Sequence, residues 1–589
     1  MRLRRFFQLL VTPITKDPVF WWVAILLMSV PGMLWYVMVS APPPFRLIAL
    51  LLFTTMFPAL VAYTLLLVIN ASGKARKAVK VTVYTVLIIL YTINVFLILN
   101  VQAMLSPWTL LLAYETNARE TNEFFESYLF RKESLISYIV VLGTMLLIWL
   151  FENRKSLLSQ PGRKAKTWGG IVLAAWLTGG SYQAFVMAQL LACNNQTEIE
   201  HWYEARKGIY CTQNTMCNAF YSITHLYYTR KVNSTAMNAS LEAWKKPAGI
   251  EADDSLCVIL VIGESYNKYH ASLYGYELDT TPYMERELKA GRLFVFTDVI
   301  SPYNMTTLSV KNMLSTNSLS LGEHWYDFPV FPVIFRKAGF TVNMWDNQKA
   351  IGGVSMHDFS LSSFLHSQQM AAISYSRWNE SINDDDLLFV DSCLRANDLD
   401  KGSSLAIFHL NGQHAMAKWR YPETESVFTA ADVHRPELSL EERQAIAEYD
   451  NATRYNDRVV GKIMYHFSSR NAIMVYLSDH GEEVYDYRHH LGRTHERAKG
   501  REALKYQYEV PFFIWCSDSY SSSHQQTVAQ IKAASDKPFM TDNLPHLLFA
   551  LANLQTCYYR EDKNPLCNRY HCGKRKVQDT TDYDEAITD

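Results

Sequence analysis

Five stretches without a single charged side chain dominate the first third of this chain: Pro18–Phe45, Leu47–Gly73, Val81–Tyr114, Ser134–Phe151 and Thr167–Thr197. A helix needs about 20 apolar residues to cross a hydrocarbon core. Four of the stretches exceed that, and the shorter fourth is dense in apolar side chains (ISYIVVLGTMLLIWLF). Soluble cores rarely hold successive apolar runs of this length without a charge. Residues 1–197 therefore read as a transmembrane domain of five spans. A cleaved signal peptide does not fit, because the first stretch is too long and further spans follow it.

Lys and Arg placement gives the orientation. Thirteen basic residues fall on one side of alternating spans: Arg2, Arg4, Arg5 and Lys16 before the first, Lys74 to Lys80 between the second and third, and Arg154 to Lys166 between the fourth and fifth. Only Arg46, Arg119, Arg131 and Lys132 fall on the other. The N-terminus is thus expected in the cytoplasm, and everything after about residue 198 outside it. Totals of 56 Lys+Arg against 57 Asp+Glu leave no overall basic field, so a nucleic-acid partner is not expected. Nine cysteines, with Cys211 and Cys217 in one group and Cys557, Cys567 and Cys572 in another, are compatible with an oxidising address, while Cys257 and Cys516 sit in apolar runs and read as buried thiols.

Residues 198–255 read as a polar connector. From Leu256 the texture changes to short β-branched and aromatic runs separated by helical stretches: CVILVIGES, FVFTDVI, FTVNMWDN, LAIFHLNGQH, IMVYLSDHGEE and VPFFIWC as strands, with VFPVIFRKAGF and the long run from Pro436 to Phe467 as helices. This alternation predicts an α/β domain over 256–573, a mostly parallel sheet with helices on both faces. Residues 359–376 lack charge but are rich in Ser, Gln and His, so they are no sixth span. The tail 574–589 reads as a poorly ordered end.

In such a sheet, polar residues just past the C-terminal strand ends converge on the ligand crevice. That selects Glu264, Asn347, His414, and the pair Asp479-His480; the loop after FVFTDVI delivers Thr306 and Thr307 to the start of a helix. One carboxylate from one strand end and an Asp-His pair from another form an oxygen/nitrogen set suited to Zn²⁺. Taken singly, each motif reads as a capping carboxylate or a structural histidine; their placement at corresponding strand ends favours a site. Between the third and fourth spans, the outward loop (104–132) carries Glu115, Glu120, Glu123 and Glu126 beside aromatic residues. By composition alone it reads as an amphipathic helix at the membrane interface.

The ordered motifs Val261-Ile262-Gly263-Glu264-Ser265, Leu273-Tyr274-Gly275-Tyr276, Thr280-Thr281-Pro282, Ser301-Pro302 with Thr306, His409-Leu410 with Gly412 and His414, Tyr449-Asp450-Asn451, and Ser478-Asp479-His480-Gly481-Glu482-Glu483 resemble the phosphoethanolamine transferases of Gram-negative inner membranes, members of the alkaline phosphatase/sulfatase superfamily. The resemblance spans roughly residues 15 to 575. It implies Glu264, Thr306, Asp479 and His480 as ligands of a catalytic zinc, with Thr306 also the nucleophile and Thr307 its neighbouring alternative. His414 and His490 match histidines that hold the transferred phosphate or a second metal, with His489 and His495 as alternatives to His490. Glu115-Thr116-Asn117 with Glu120 and Glu123 matches a loop that helps bind the lipid donor, so the resemblance reverses the plainer reading of that loop.

The implied activity is transfer of phosphoethanolamine from phosphatidylethanolamine, through a phosphothreonine, to an envelope glycolipid such as lipid A or lipopolysaccharide core. The implied address is the inner membrane, with the catalytic domain periplasmic. A phosphoglycerol transferase would share spans, fold and threonine, and a non-catalytic receptor on the same fold is a more distant alternative. A sulfatase activity is disfavoured, because no Cys/Ser-x-Pro-x-Arg run surrounds Thr306. The Cys-Gly and Pro-Cys that flank the threonine in some lipid A-modifying members are also absent, which leaves the acceptor open.

Overall fold

The computed structural model describes residues 2–40, 44–101, 103–115, 132–154, 162–203, 205, 214–250, 255–349, 359–396, 402–414, 416–493, 500–578 and 580–588. The chain divides into a first unit over Met1–Arg230 and a second over Lys231–Ile351 with Asp358–Asp589.

Five helices of the first unit are long and apolar enough to cross a membrane, over Pro18–Met38, Leu50–Ala71, Gly73–Asn100, Lys132–Asn153 and Arg163–Leu191. These match the five stretches in the sequence. Polar side chains serve the backbone where the helices are broken. Pro58, inside the helix Pro44–Ala71, has no N–H for the carbonyl of Thr54. Ser29 Oγ donates to that carbonyl at 3.3 Å. One residue earlier, Gln183 donates to Phe53 O at 3.0 Å and accepts from Phe57 N at 2.9 Å. Satisfying such groups inside protein is what permits a proline in a span.

The second unit is built on a seven-stranded sheet. Its strands are β1 (Cys257–Gly263), β2 (Leu293–Phe296), β3 (Thr341–Asp346), β4 (Arg377–Trp378), β5 (Ser404–His409), β6 (Ala472–Ser478) and β7 (Phe512–Cys516). The spatial order is β2-β7-β6-β1-β5-β3-β4. Strands β6, β1, β5, β3 and β4 run parallel, while β7 is antiparallel to both β6 and β2. Every residue of β1 is buried, as a parallel strand covered on both faces requires. Side chains alternate along a strand, and β1 divides accordingly. Val258, Leu260 and Ile262 join a core with the helices Phe331–Lys337 and Leu544–Leu551. Cys257, Ile259 and Val261 join another with the helices Asp386–Ala396 and Leu440–Phe467. The long helix begins at a capping box, in which Ser439 Oγ accepts from Glu442 N at 3.2 Å and Glu442 accepts from Ser439 N at 2.8 Å. The uncharged run after residue 358 forms two short helices, Phe359–Leu365 and Gln368–Ser374, that feed the first core.

The connector has a structure that the sequence reading left unspecified, and one expectation, the loose tail, is corrected. The connector is largely helical: Thr215–Trp244 is one continuous helix, whose early residues Cys217 and Tyr221 pack with Trp202 while Val232 and Ala236 join the sheet core. Its apolar residues lie on no single stripe, so the sequence carried no helical period to read. The tail is not loose. Lys576–Val577 pairs with Thr581–Asp582, and Val577 and Tyr583 are buried with Ile300 and Tyr508. Among the described residues, Cys217, Cys257, Cys393, Cys516, Cys557, Cys567 and Cys572 are free thiols, Cys257 and Cys516 buried as expected, and Cys211 lies outside the described residues.

Candidate active site

Parallel register brings the strand ends level. Gly263 of β1 pairs with Ser478 of β6, Ile262 with His409 of β5, and Asp346 of β3 with His409. The residues that follow, Glu264 and Asp479-His480, therefore emerge side by side. Glu264, Asp479 and His480 are fully buried, and one ligand atom from each lies within 4.8 Å of the others. Ser265 has a left-handed backbone (φ 54°), which turns the chain sharply at the end of β1. Gly412, on the loop after β5, packs so closely on Glu264 that a Cβ would lie 2.9 Å from both its N and its O.

Each of these side chains is oriented by a separate set of bonds. Asp479 Oδ1 accepts from Ser265 N at 3.1 Å and His480 N at 2.8 Å, while Oδ2 is buried with no hydrogen-bond partner among the described residues. His480 Nδ1 lies 2.8 Å from Gly481 O. A carbonyl only accepts, so Nδ1 carries a proton and Nε2 is the nitrogen turned to the site. That Nε2 is 3.1 Å from Asp479 Oδ2 and 3.3 Å from Glu264 Oε1. Glu264 Oε1 accepts from Ser265 Oγ at 2.6 Å, and Oε2 accepts from Thr306 Oγ1 at 3.0 Å. Thr306 is the first residue of the helix Thr306–Leu314, with Oγ1 also 3.3 Å from His480 Nε2.

Two carboxylates, an imidazole Nε2 and a hydroxyl thus converge. An orphaned carboxylate oxygen and an imidazole Nε2 facing each other at 3.1 Å, beside a second buried carboxylate, form a donor set whose O/N chemistry fits Zn²⁺. Electrostatics agree. Burial alone would raise Glu264, but His480, His414 and Arg493 hold it well below the usual carboxylate range. Burial and Arg493 push His480 down, yet Asp479 and Glu264 outweigh them and raise it to about 9.

Of the other expected residues, His414 lies on the loop shaped by Asp386, which accepts from Asn411 N and Gly412 N at 3.0 and 2.8 Å. Burial lowers its pKa, and it is close enough to Glu264 to depress that carboxyl. His490 sits on the loop after β6, where its carbonyl accepts from Tyr485 N at 3.1 Å. His489 is exposed and lies 2.9 Å from Glu442, away at the start of the long helix. Thr116, Glu120 and His495 lie outside the described residues, and Glu115 is the last residue of the helix Pro107–Glu115.

Asn347 turns toward a neighbouring loop. Its side chain donates to Asn383 O at 2.8 Å and to Asp386 at 2.7 Å, and accepts from Asn383 N at 2.8 Å. Its backbone N–H still bonds His409 O at 2.8 Å, so strand alternation persists past Asp346 and sends residue 347 to the opposite face. Gln348 reaches the site instead: Nε2 donates to Glu264 Oε2 at 3.0 Å and to Leu410 O at 2.7 Å. Sequence reasoning also misses Arg493. Its Nη1 donates to Asn304 O at 2.5 Å and lies 2.7 Å from His480 Nε2. Counting alternation two residues past β3 finds Gln348; Arg493, on a loop, has no comparable signal.

The sulfatase family model matches residues 257–554. The chain is similar to the phosphoethanolamine transferase EptC of Escherichia coli K12, with 25% identity over 457 residues covering 76% of this chain and 75% of that protein. It is also similar to the Kdo(2)-lipid A phosphoethanolamine 7''-transferase of the same strain, with 24% identity over 406 residues covering 67% and 68%. Among solved structures, the zinc complex of the C-terminal periplasmic domain of EcEptC from Escherichia coli superimposes with a TM-score of 0.50 and 25% identity, covering 58% of this chain and 96% of that one.

Proposed function

The chain belongs to the sulfatase family, and on that premise we propose that it is a phosphoethanolamine transferase. It moves phosphoethanolamine from phosphatidylethanolamine to an envelope glycolipid such as lipid A or lipopolysaccharide core, by way of a phosphothreonine at Thr306. The observation that carries this reading is the Thr306 hydroxyl, 3.0 Å from Glu264 and 3.3 Å from His480 at the start of a helix. The named activities of the two Escherichia coli relatives support the group transferred.

Phosphoryl transfer asks for positioning and for neutralised charge on the phosphate oxygens. Glu264, Asp479, His480 and Thr306 would hold zinc, which would supply a Lewis acid that makes a threonine hydroxyl easier to ionise. The chain's own residues do the rest. In the first half-reaction Thr306 Oγ1 bonds to phosphorus as the bond from phosphorus to the diacylglycerol oxygen breaks, and the threonine proton ends on that oxygen. In the second, an acceptor oxygen bonds to phosphorus, Oγ1 leaves, and the acceptor's proton returns to it. His414, kept below its ordinary pKa by burial and therefore neutral at pH 7, is suited to carry that proton. The N-terminal end of the Thr306 helix and the Arg493 guanidinium offer positive charge to the phosphoryl oxygens.

The charge asymmetry between loops supports an inner-membrane protein with its N-terminus cytoplasmic and the catalytic unit periplasmic. Glu115, Thr116 and Glu120, in the outward loop, are suited to the ammonium of the donor. His490 is a further candidate for the phosphate.

The test uses the whole protein in vesicles with headgroup-labelled lipid. Thr306→Ala should abolish transfer of label from phosphatidylethanolamine, and the wild-type peptide holding Thr306 should gain about 123 Da with donor alone, as a covalent intermediate requires. Full activity of Thr306→Ala, or transfer from labelled phosphatidylglycerol in place of phosphatidylethanolamine, would overturn the reading.

A further inference from the structure

The last residues of the chain, beyond the span matched by the sulfatase family, run alongside the segment that leads to Thr306. The contacts proceed in step. Arg575 Nη1 donates to Asp298 Oδ1 at 2.5 Å. Val577 is buried in one cluster with Ile300. Gln578 N donates to Pro302 O at 3.0 Å, and Gln578 Nε2 reaches Asn304 Oδ1 at 3.4 Å. From Asp298 to Asn304, the loop that delivers Thr306 is therefore lined by Arg575 to Gln578.

That strip is itself anchored. Lys576–Val577 pairs with Thr581–Asp582, Tyr583 N donates to Arg575 O at 2.8 Å, and Tyr583 OH donates to Glu509 at 2.8 Å. Arg575 also pairs with Asp584. Gln578 is 5% exposed and has a left-handed backbone, φ 51°. A straight-chain residue rarely adopts that conformation, and such outliers persist where the surroundings over-determine them. Here the surroundings are the two bonds to the Thr306 loop.

Asn304 is the point where the strap meets the site. Its Nδ2 donates to Gln507 Oε1 at 2.9 Å, and its carbonyl accepts from Arg493, which lies against His480. Two residues later comes Thr306. On the opposite side, Ser301 Oγ donates to Asp479 O at 2.5 Å. The loop is thus clamped between the β6 end and the strap.

We propose that the C-terminal strap, Arg575 to Gln578 held by Thr581 to Tyr583, is a positioning device for the nucleophile loop, and that Gln578 is the positioning residue through which it acts on Asn304. The inference rests on Thr306 being the nucleophile. It predicts that losing the Gln578 amide misplaces Oγ1 without emptying the metal site, since the strap's bonds go to the loop ahead of Thr306 and not to the side chains of Glu264, Asp479 or His480.

The test compares wild type, Gln578→Asn, Gln578→Met and Thr306→Ala as full-length proteins, with labelled phosphatidylethanolamine in vesicles. Asn tolerates left-handed backbone better than Gln but is one methylene too short to reach Asn304; Met keeps the length and lacks the amide. Both Gln578 variants should lose about tenfold in kcat, as a small misplacement of a reacting group does, with KM for the lipid within twofold and with zinc content and melting temperature unchanged. Wild-type kcat in Gln578→Asn, alongside an inactive Thr306→Ala, would overturn the strap's role and leave the nucleophile standing. An active Thr306→Ala would overturn both. A fall in melting temperature with unchanged kcat would make the strap a purely structural element and also refute the proposal.

Discussion

Gly412 sits against the backbone of Glu264 so closely that a Cβ on it would lie 2.9 Å from both Glu264 N and O, and its φ of 49° is itself left-handed. The loop that carries His414 is therefore seated on the strand end that carries the metal-site glutamate. Gly412→Ala meets two obstacles: left-handed backbone costs an L-residue about 1–2 kcal/mol, and the overlap is with backbone, which cannot swing aside. Glu264 must shift. The expected result is a destabilisation of about 2–4 kcal/mol and weakened zinc retention on dialysis, read by thermal melting and metal analysis. A variant that melts and binds zinc like wild type would show that the loop is not seated this way.

The two oxygens of Asp479 have separate duties, Oδ1 accepting backbone N–H groups and Oδ2 facing His480 Nε2. Asp479→Asn keeps an acceptor for the backbone but places a neutral amide toward the cation. It should fold with a melting temperature near wild type, lose zinc affinity by more than the roughly 10–100-fold typical of changes behind the ligands, and lose transfer activity. Asp479→Ala should lose stability as well. Chelation of wild type should remove activity and restoring zinc should return it, measured by activity and metal content on the same sample.

Much of this arrangement is legible in the order of residues alone. Charge-free runs longer than a bilayer's core leave few alternatives to spans, and buried parallel strands announce themselves as continuous β-branched runs, so the five helices and the strand ends at Glu264 and Asp479-His480 follow from pattern. Thr306 needs the family resemblance to be preferred over Thr307; the geometry then brings its hydroxyl to Glu264. Pattern does not reach whatever depends on loop conformation. Asn347 and Gln348 differ only in which face alternation gives them, and Arg493 reaches His480 from a loop whose path no local rule fixes. The tail misleads for a related reason: it is polar in composition, and its order comes from ion pairs and two buried side chains, Val577 and Tyr583, rather than from a hydrophobic period.

His270 ties three elements together behind the site. Its Nδ1 is 2.7 Å from Asp450 of the long helix and its Nε2 is 3.4 Å from Asp486 on the loop leading to Arg493. Burial opposes a charge on the ring, but the two carboxylates outweigh it and raise the pKa to about 10. An unfolded-state histidine titrates near 6.5. The folded state therefore binds the proton more tightly, so this contribution is fully present below pH 6.5 and declines as pH rises from there through about 10. His270→Gln should be less stable than wild type by a few kcal/mol at pH 6, and the gap should narrow steadily toward pH 10. Melting curves of both proteins across that range decide it; a gap constant with pH would mean the ring is neutral in the native state.

Gln348 offers a charge test of the site. Its amide donates to the same oxygen of Glu264 that accepts from Thr306, and to the carbonyl of Leu410. Gln348→Leu removes one donor to a buried carboxylate, which costs about 1–3 kcal/mol where nothing replaces it, and should lower kcat while zinc stays bound. Gln348→Glu keeps the shape but sets a second carboxylate about where the amide lay, beside Glu264 and facing the phosphoryl group. Like charges at that separation resist joint ionisation, and a negative group there repels the phosphate oxygens in ground and transition states alike. The isosteric variant should therefore be the worse of the two, with a higher KM for the lipid as well as a lower kcat. If Gln348→Glu outperforms Gln348→Leu, the phosphate does not approach from this side and the donor must enter past His414 instead.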